Sequence, residues 1–230
     1  MTADAFSYSG KDNLEAMRLA ERYNAFLVDL VERNAPRGGH ILDFGAGLGL
    51  FADALRDRGH RVSCLEVDPE LATELQGRGF HAVRSPSELD DESIDYVYSL
   101  NVLEHIDDDV TALSTLVPKL RSGGRCFIYV PAFPVLYSAM DRLVGHHRRY
   151  TAASLARALD RVGLRVERAE YADSLGFPAS LAYRFVGGSG TLNPGSVVAY
   201  DRWVFPVSRI LDRITHRWFG KNVHALATKP

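Results

Sequence analysis

The 230-residue chain has only two cysteines, three methionines and two tryptophans, and neither sign of charge is in excess. Cys64 and Cys126 both sit in apolar, strand-like stretches. Two such thiols make neither a disulfide framework nor a thiolate metal cluster, and they read as small buried hydrophobes in a reducing compartment. Lys and Arg total 27 against 29 Asp and Glu, a net charge of −2, so nothing global draws the chain to nucleic acid. No apolar run reaches the roughly 18 residues of a membrane span. Met1-Thr2-Ala3-Asp4-Ala5 lacks the basic and apolar regions of a secretory signal. The expected location is cytoplasmic. Internal repeats and low-complexity tracts are also missing, and the length suits one domain with elaborations.

Glycine is concentrated at one informative place. The apolar strand Ile41-Leu42-Asp43-Phe44 runs into Gly45-Ala46-Gly47-Leu48-Gly49, and a helical pattern starts at Leu50. Glycines let the backbone turn tightly and approach a ligand closely, and the helix that follows aims free N–H groups at the turn. This is a nucleoside-binding turn. It is not a P-loop, because no Gly-Lys-Ser/Thr follows, and it is not the dinucleotide fingerprint, because Leu50 stands where the third glycine belongs. The next strand, Arg61 to Leu65, ends at Glu66, about 20 residues past the turn, the separation at which a carboxylate reaches a ribose diol. Asp68-Pro69 then starts a helix as N-cap and first-turn proline.

Strands are predicted near residues 40–44, 61–66, 80–84, 94–99 and 123–131, then at 164–171 and 222–228. Helices fall between them, including 12–34 and Ala152–Val162, the latter capped by Thr151. This alternation predicts an α/β fold with a mostly parallel sheet and helices on both faces. Two segments exceed a minimal fold, residues 131–150 and 173–220. The first leaves the carboxyl end of a strand, where ligands bind in open α/β sheets.

The pattern Asp43-x-Gly45-x-Gly47-x-Gly49 with Glu66 resembles motif I and the following strand end of class I S-adenosylmethionine (SAM)-dependent methyltransferases. The stretch Leu100-Asn101-Val102-Leu103-Glu104-His105 is similar to the segment after the fourth strand in their small-molecule members. It is not the Asn/Asp-Pro-Pro-Tyr/Phe of enzymes that methylate amino groups of bases. The stretch from Pro131 through Tyr137, Ser138 and Asp141 to Gly145-His146-His147-Arg148-Arg149-Tyr150-Thr151 resembles a bacterial subgroup of types 11 and 12. The resemblance implies a seven-stranded Rossmann-like sheet with an antiparallel last strand. It implies one SAM-binding domain over 1–230, with a helical lid at 1–36. It implies cofactor contacts from Tyr8, Tyr23, Asp43, Gly45, Ala46, Gly47, Glu66, Val67, Ser85 and Asn101. For Tyr23 and Met17 an ordinary helical core face is an equal reading.

On the acceptor side the expected contacts are Tyr137, His146, Arg148, Arg149 and Tyr150. Forked guanidiniums suit phosphate or carboxylate, which implies an anionic acceptor. The alternative is that one arginine pairs with Asp141 while the other is solvated. If the acceptor must lose a proton, the candidate bases are His146, His147 and His105, since histidine titrates near working pH. Ubiquinone-pathway O-methyltransferases carry E-x-x-E-H after the same strand, a motif that can bind a divalent cation. Asn101 replaces the first carboxylate here, so no metal is expected. The segment Pro206 to Phe219 is amphipathic, with Val207, Ile210, Leu211, Ile214 and Trp218 on one face and Arg209, Arg213, His216 and Arg217 largely on the other. Packing on the domain, on a second copy as a homodimer or over the pocket is favoured over contact with an anionic membrane surface.

These features imply a methyltransferase acting on a small or lipid-linked anionic acceptor, at oxygen rather than nitrogen. The alternatives are a SAM-binding sensor or scaffold without catalysis and a methyltransferase acting on nucleic acid.

Overall fold

A computed structural model of the chain describes residues 17–186 and 193–230, leaving aside the side chains of residues 185 and 186. Tyr8, with residues 1–16 of the expected lid, and the glycine-rich residues 187–192 lie outside the described residues.

Seven strands form one sheet in the order β3-β2-β1-β4-β5-β7-β6. They are β1 (His40–Phe44), β2 (Arg61–Leu65), β3 (His81–Val83), β4 (Ile94–Leu100), β5 (Leu120–Pro131), β6 (Arg165–Ala172) and β7 (Asn222–Thr228). The first five pair in parallel, and β7 runs antiparallel between β5 and β6. Helix α1 (Glu21–Glu32) precedes β1. Then come α2 (Leu50–Asp57), α3 (Pro69–Gly77), α4 (Asp109–Leu116), α5 (Ala139–Leu143) and α6 (Ala152–Arg161). The strand order reverses between β1 and β4, so the switch-point crevice opens at their carboxyl ends.

Alternate residues of the buried strands feed two cores. Tyr96, Tyr98, Phe127 and Tyr129 pack with Leu27 and Val31 of α1, Leu55 of α2 and Leu75 of α3. Val97, Ile128 and Val130 pack with Leu113 of α4 and with Leu155 and Leu159 of α6. Burial on both faces explains why these strands read as continuous apolar runs. Cys64 and Cys126 are buried and unbridged, as expected.

The segment after β6 carries α7 (Gly176–Val186), α8 (Pro194–Ala199), a π-helical turn (Tyr200–Val204) and α9 (Phe205–Thr215). Three buried carboxylates tie it down. Asp201 accepts the N–H groups of Arg22 and Tyr23 at the start of α1. Asp212 accepts those of Asp173 and Ser174. Asp173 accepts the Tyr200 and Ser208 hydroxyls. Helix α9 therefore buries Phe205, Ser208 and Asp212. Its apolar stripe faces outward: Trp203 and Trp218 are each 68% exposed, Ile214 66% and Ile210 63%. This corrects packing on the domain, one of the favoured placements; packing on a second copy is compatible with the exposed stripe. Helix α9 ends at Thr215, short of Gly220. A Cβ at Gly220 would collide with the Ala172 backbone, so the residue permits a close chain crossing.

Candidate active site

Two walls of one crevice meet at the switch point. The first is the glycine turn. Gly45 and Gly47 have φ of +80° and +53°, which glycine adopts without strain. A Cβ at Gly45 would collide with Val102, whereas one at Gly47 would meet nothing within 4 Å. Gly45 thus lets the turn seat against the segment after β4, and Gly47 presents bare backbone to open space. Ala46 is buried beside it, its N–H 3.3 Å from the Leu65 carbonyl. Glu66 is buried: one oxygen accepts the Gly47 N–H at 2.7 Å and the other the Asp68 N–H at 2.9 Å. The carboxylate expected to reach a diol therefore also braces the turn. Val67 follows it and is 52% exposed. Ser85, after β3, caps a short 3-10 turn reciprocally with Glu88. Asp43, next to last in β1, has an Oδ2 lacking any hydrogen-bond partner among the described residues, and burial pushes its carboxyl up to about 7. An orphaned buried acceptor beside a bare glycine suits a cofactor carrying both hydroxyls and a cationic amine.

The second wall follows β4. Asn101 is exposed at φ +55°, its N–H bonded to the Tyr129 carbonyl. Tyr23 is buried; its hydroxyl donates to the Tyr129 hydroxyl at 3.2 Å and lies near Asn101. Its ring also packs edge-on against Phe205. Tyr23 therefore sits on the core face with its hydroxyl toward Asn101. A 3-10 turn, Leu103–His105, then presents Glu104 and His105.

Residues 138–150 fold around one carboxylate that the sequence reading passed over as a site residue. Ser138 and Asp141 form a capping box at the start of α5. Asp141, 1% exposed, also accepts the His146 ring N–H at 2.7 Å and a forked pair from Arg149 at 2.7 and 3.0 Å. Burial alone would raise its carboxyl, but these donors hold it well below the usual carboxylate range. The Tyr137 hydroxyl grips the His146 carbonyl at 2.6 Å. His146 Nδ1 is thus occupied, and Nε2 lies 3.8 Å from Glu104 Oε1. The His105 and His146 rings meet edge to face at 4.6 Å. Burial and then the His146 neighbour push His105 down to about 4. Glu104 is fully buried and pushed up to about 8 by burial.

The remaining acceptor-side expectations change. Arg149 is committed to Asp141, so it is not the free anion ligand it was expected to be. Arg148 pairs with Asp107 and Asp109 and keeps its side chain 32% exposed. Tyr150 is 3% exposed with its hydroxyl on Asp109, which makes it a core strut. His147 is half-exposed, its Nδ1 3.6 Å from Asp107 and its N–H on the Glu104 carbonyl. Both guanidiniums already have carboxylate partners, which an anionic acceptor would have to displace. Glu104 could have been noticed as a carboxylate embedded between apolar residues; its closeness to His146 has no local signal.

Comparison with known proteins agrees with this geometry. A family model described as a methyltransferase domain matches residues 18–169. An uncharacterized methyltransferase of Mycobacteroides abscessus is 27% identical over 91% of this chain and 85% of its own length. A ubiquinone biosynthesis O-methyltransferase of Xylella fastidiosa is 26% identical over 46% of this chain and 47% of its own. Among solved structures, a SAM-dependent methyltransferase from Archaeoglobus fulgidus shares the fold, with a TM-score of 0.63, 20% identity and coverage of 91% of this chain and 94% of that one.

Proposed function

The chain belongs to the SAM-dependent methyltransferase family, and from that premise we propose that it methylates an oxygen of a small or lipid-linked acceptor seated beside Glu104, His105 and His146. SAM supplies a methyl group already activated by its sulfonium; the protein aligns the acceptor and excludes water. On this reading Asp43, Gly45, Ala46, Gly47, Glu66, Val67, Ser85 and Asn101 hold the cofactor. The observation that carries it is the close seat of Gly45 against Val102, the residue that leads directly into Glu104 and His105. His146 arrives oriented, its Nδ1 on Asp141 and its carbonyl on Tyr137, so Nε2 faces the acceptor side.

Two variants separate the halves of this site. Glu66→Ala is expected to weaken SAM binding by about 1–3 kcal/mol, since charge-assisted bonds to ligand and turn are both lost. Calorimetry with SAM and S-adenosylhomocysteine measures it, and unchanged affinity would remove Glu66 from the cofactor site. His146→Ala is expected to keep SAM affinity while lowering turnover on candidate acceptors by about 100-fold. Turnover equal to wild type would take His146 out of the acceptor site.

The lipid-linked form of the acceptor is favoured by the outward stripe of Trp203, Val207, Ile210, Ile214 and Trp218 along α9 and its flanking turns, with Arg213 on α9 and Arg217 just beyond it. Aromatic and aliphatic residues flanked by arginines are the composition of helices that lie in a membrane interface. No helix among the described residues is long and apolar enough to cross a membrane. Vesicles rich in anionic phospholipid should co-sediment the protein, and Ile210→Glu with Ile214→Glu should weaken that by at least tenfold. A concentration-dependent dimer abolished by the same pair, without vesicle binding, would instead assign the stripe to a second copy.

A further inference from the structure

The side chains of Glu104, His105 and His146 place one ligand atom each within 4.8 Å of one another. We propose that they hold one divalent transition-metal ion of the zinc class, with the fourth position open to the acceptor oxygen. The proposal rests on the reading of this cluster as the acceptor site and says how the cluster acts. It departs from the expectation of no metal because His146, which lies 42 residues beyond Glu104 in the chain and comes from the other side of β5, takes the place that the missing carboxylate left.

Three observations carry it. Glu104 is fully buried, and neither of its oxygens has a hydrogen-bond partner among the described residues. A buried carboxylate without partners is costly, and a cation is the counterpart that removes the cost. Second, the separations suit one ion. Ligand atoms about 2.0–2.1 Å from a tetrahedral ion stand about 3.4 Å apart, close to the 3.8 Å between Glu104 Oε1 and His146 Nε2. Third, both imidazoles already have the outer partners that metal-bound histidines use. His146 Nδ1 is bonded to the Asp141 carboxylate, and the His105 ring reaches the backbone carbonyls of Gly145 and Val144. Two imidazoles and one carboxylate favour zinc, iron or cobalt over magnesium or calcium, which prefer all-oxygen shells.

An ion with an open position lowers the pKa of an oxygen bound there, so the acceptor needs no protein base. The acceptor O–H bond breaks and its proton leaves to water. The oxygen electron pair forms the bond to the methyl carbon, and the C–S pair returns to sulfur, giving the methyl ether and S-adenosylhomocysteine.

The test is metal content and affinity of the whole chain, stripped with chelator and then titrated with zinc, cobalt or magnesium alone. Expected are one zinc per chain after dialysis, tetrahedral d–d bands with cobalt, and zinc affinity at least tenfold weaker in His105→Ala and in His146→Ala. Because wild-type cobalt spectra need no variant, a misfolded substitution leaves the test intact. Absence of stoichiometric zinc and of cobalt bands in the wild type would overturn the proposal, as would zinc binding unaffected by either substitution. SAM affinity and turnover of the stripped protein, measured alongside, separate the two readings. Full turnover without metal removes the ion and leaves the acceptor site standing, whereas a chain that binds zinc but loses no turnover in His146→Ala removes the acceptor site instead.

Discussion

Arg149→Ala should destabilise the fold by about 3–5 kcal/mol, because it leaves a buried carboxylate without its fixed countercharge. The Arg149 side chain is 8% exposed and that of Asp141 1%, and the pair is joined by two parallel bonds at 2.7 and 3.0 Å. Ser138 and His146 remain on Asp141 after the change, but neither carries a fixed positive charge. Arg149→Lys should recover only part of the loss, since an ammonium cannot reproduce the fork. Urea denaturation measures both, and a companion Asp141→Asn in the Arg149→Ala background should restore part of the stability by removing the stranded charge. SAM affinity of folded Arg149→Ala should match wild type. If stability were unchanged while turnover fell, Arg149 would be an acceptor ligand after all, and the bidentate pair would be incidental.

That prediction differs from what the sequence alone suggests, and the reason is physical. Strand positions, the glycine turn and the place of Glu66 just after β2 were legible because they depend on local rules: short continuous apolar runs, positive φ and a fixed spacing from turn to acid. The parallel sheet of β1 to β5 followed from the alternation of strands and helices. The partners of charged side chains had no such rule. The pair Arg148-Arg149 looked like an anion clamp until Asp107, Asp109 and Asp141 were found beside it. The amphipathic pattern at 206–219 gave a helix correctly, but not which face is buried. Asp201, Asp212 and Asp173 decide that: the first two accept backbone N–H groups up to 179 positions away, and Asp173 draws the Ser208 hydroxyl inward. Glu104 meets His146 only because β5 brings residues 138–150 back over the end of β4.

A second large effect concerns acid. His224 lies at the middle of β7, buried, stacked 6.2 Å from Tyr129 and near Phe127, with Nδ1 lacking a partner among the described residues. Burial first, and then the charges of Arg168, Arg209, His216 and Arg33, push it down to about 3. Its folded value therefore lies below the roughly 6.5 of an unfolded histidine. The unfolded chain takes up the proton first, so the stability from a neutral His224 is complete above about pH 6.5 and is lost as pH falls toward 3. The loss approaches about 1.4 kcal/mol per pH unit, or about 5 kcal/mol in total as an upper bound. Asp43, raised to about 7, acts in the opposite sense and costs stability as pH rises from about 4. The two slopes can be separated by His224→Leu, which should flatten the acid side of the stability profile and leave the Asp43 slope in place. Denaturant midpoints at pH 5 and pH 7 measure this directly: wild type should lose about 2 kcal/mol more than the variant over that interval. Equal losses would mean that His224 is protonated in the fold, with water or a neighbouring group as its partner.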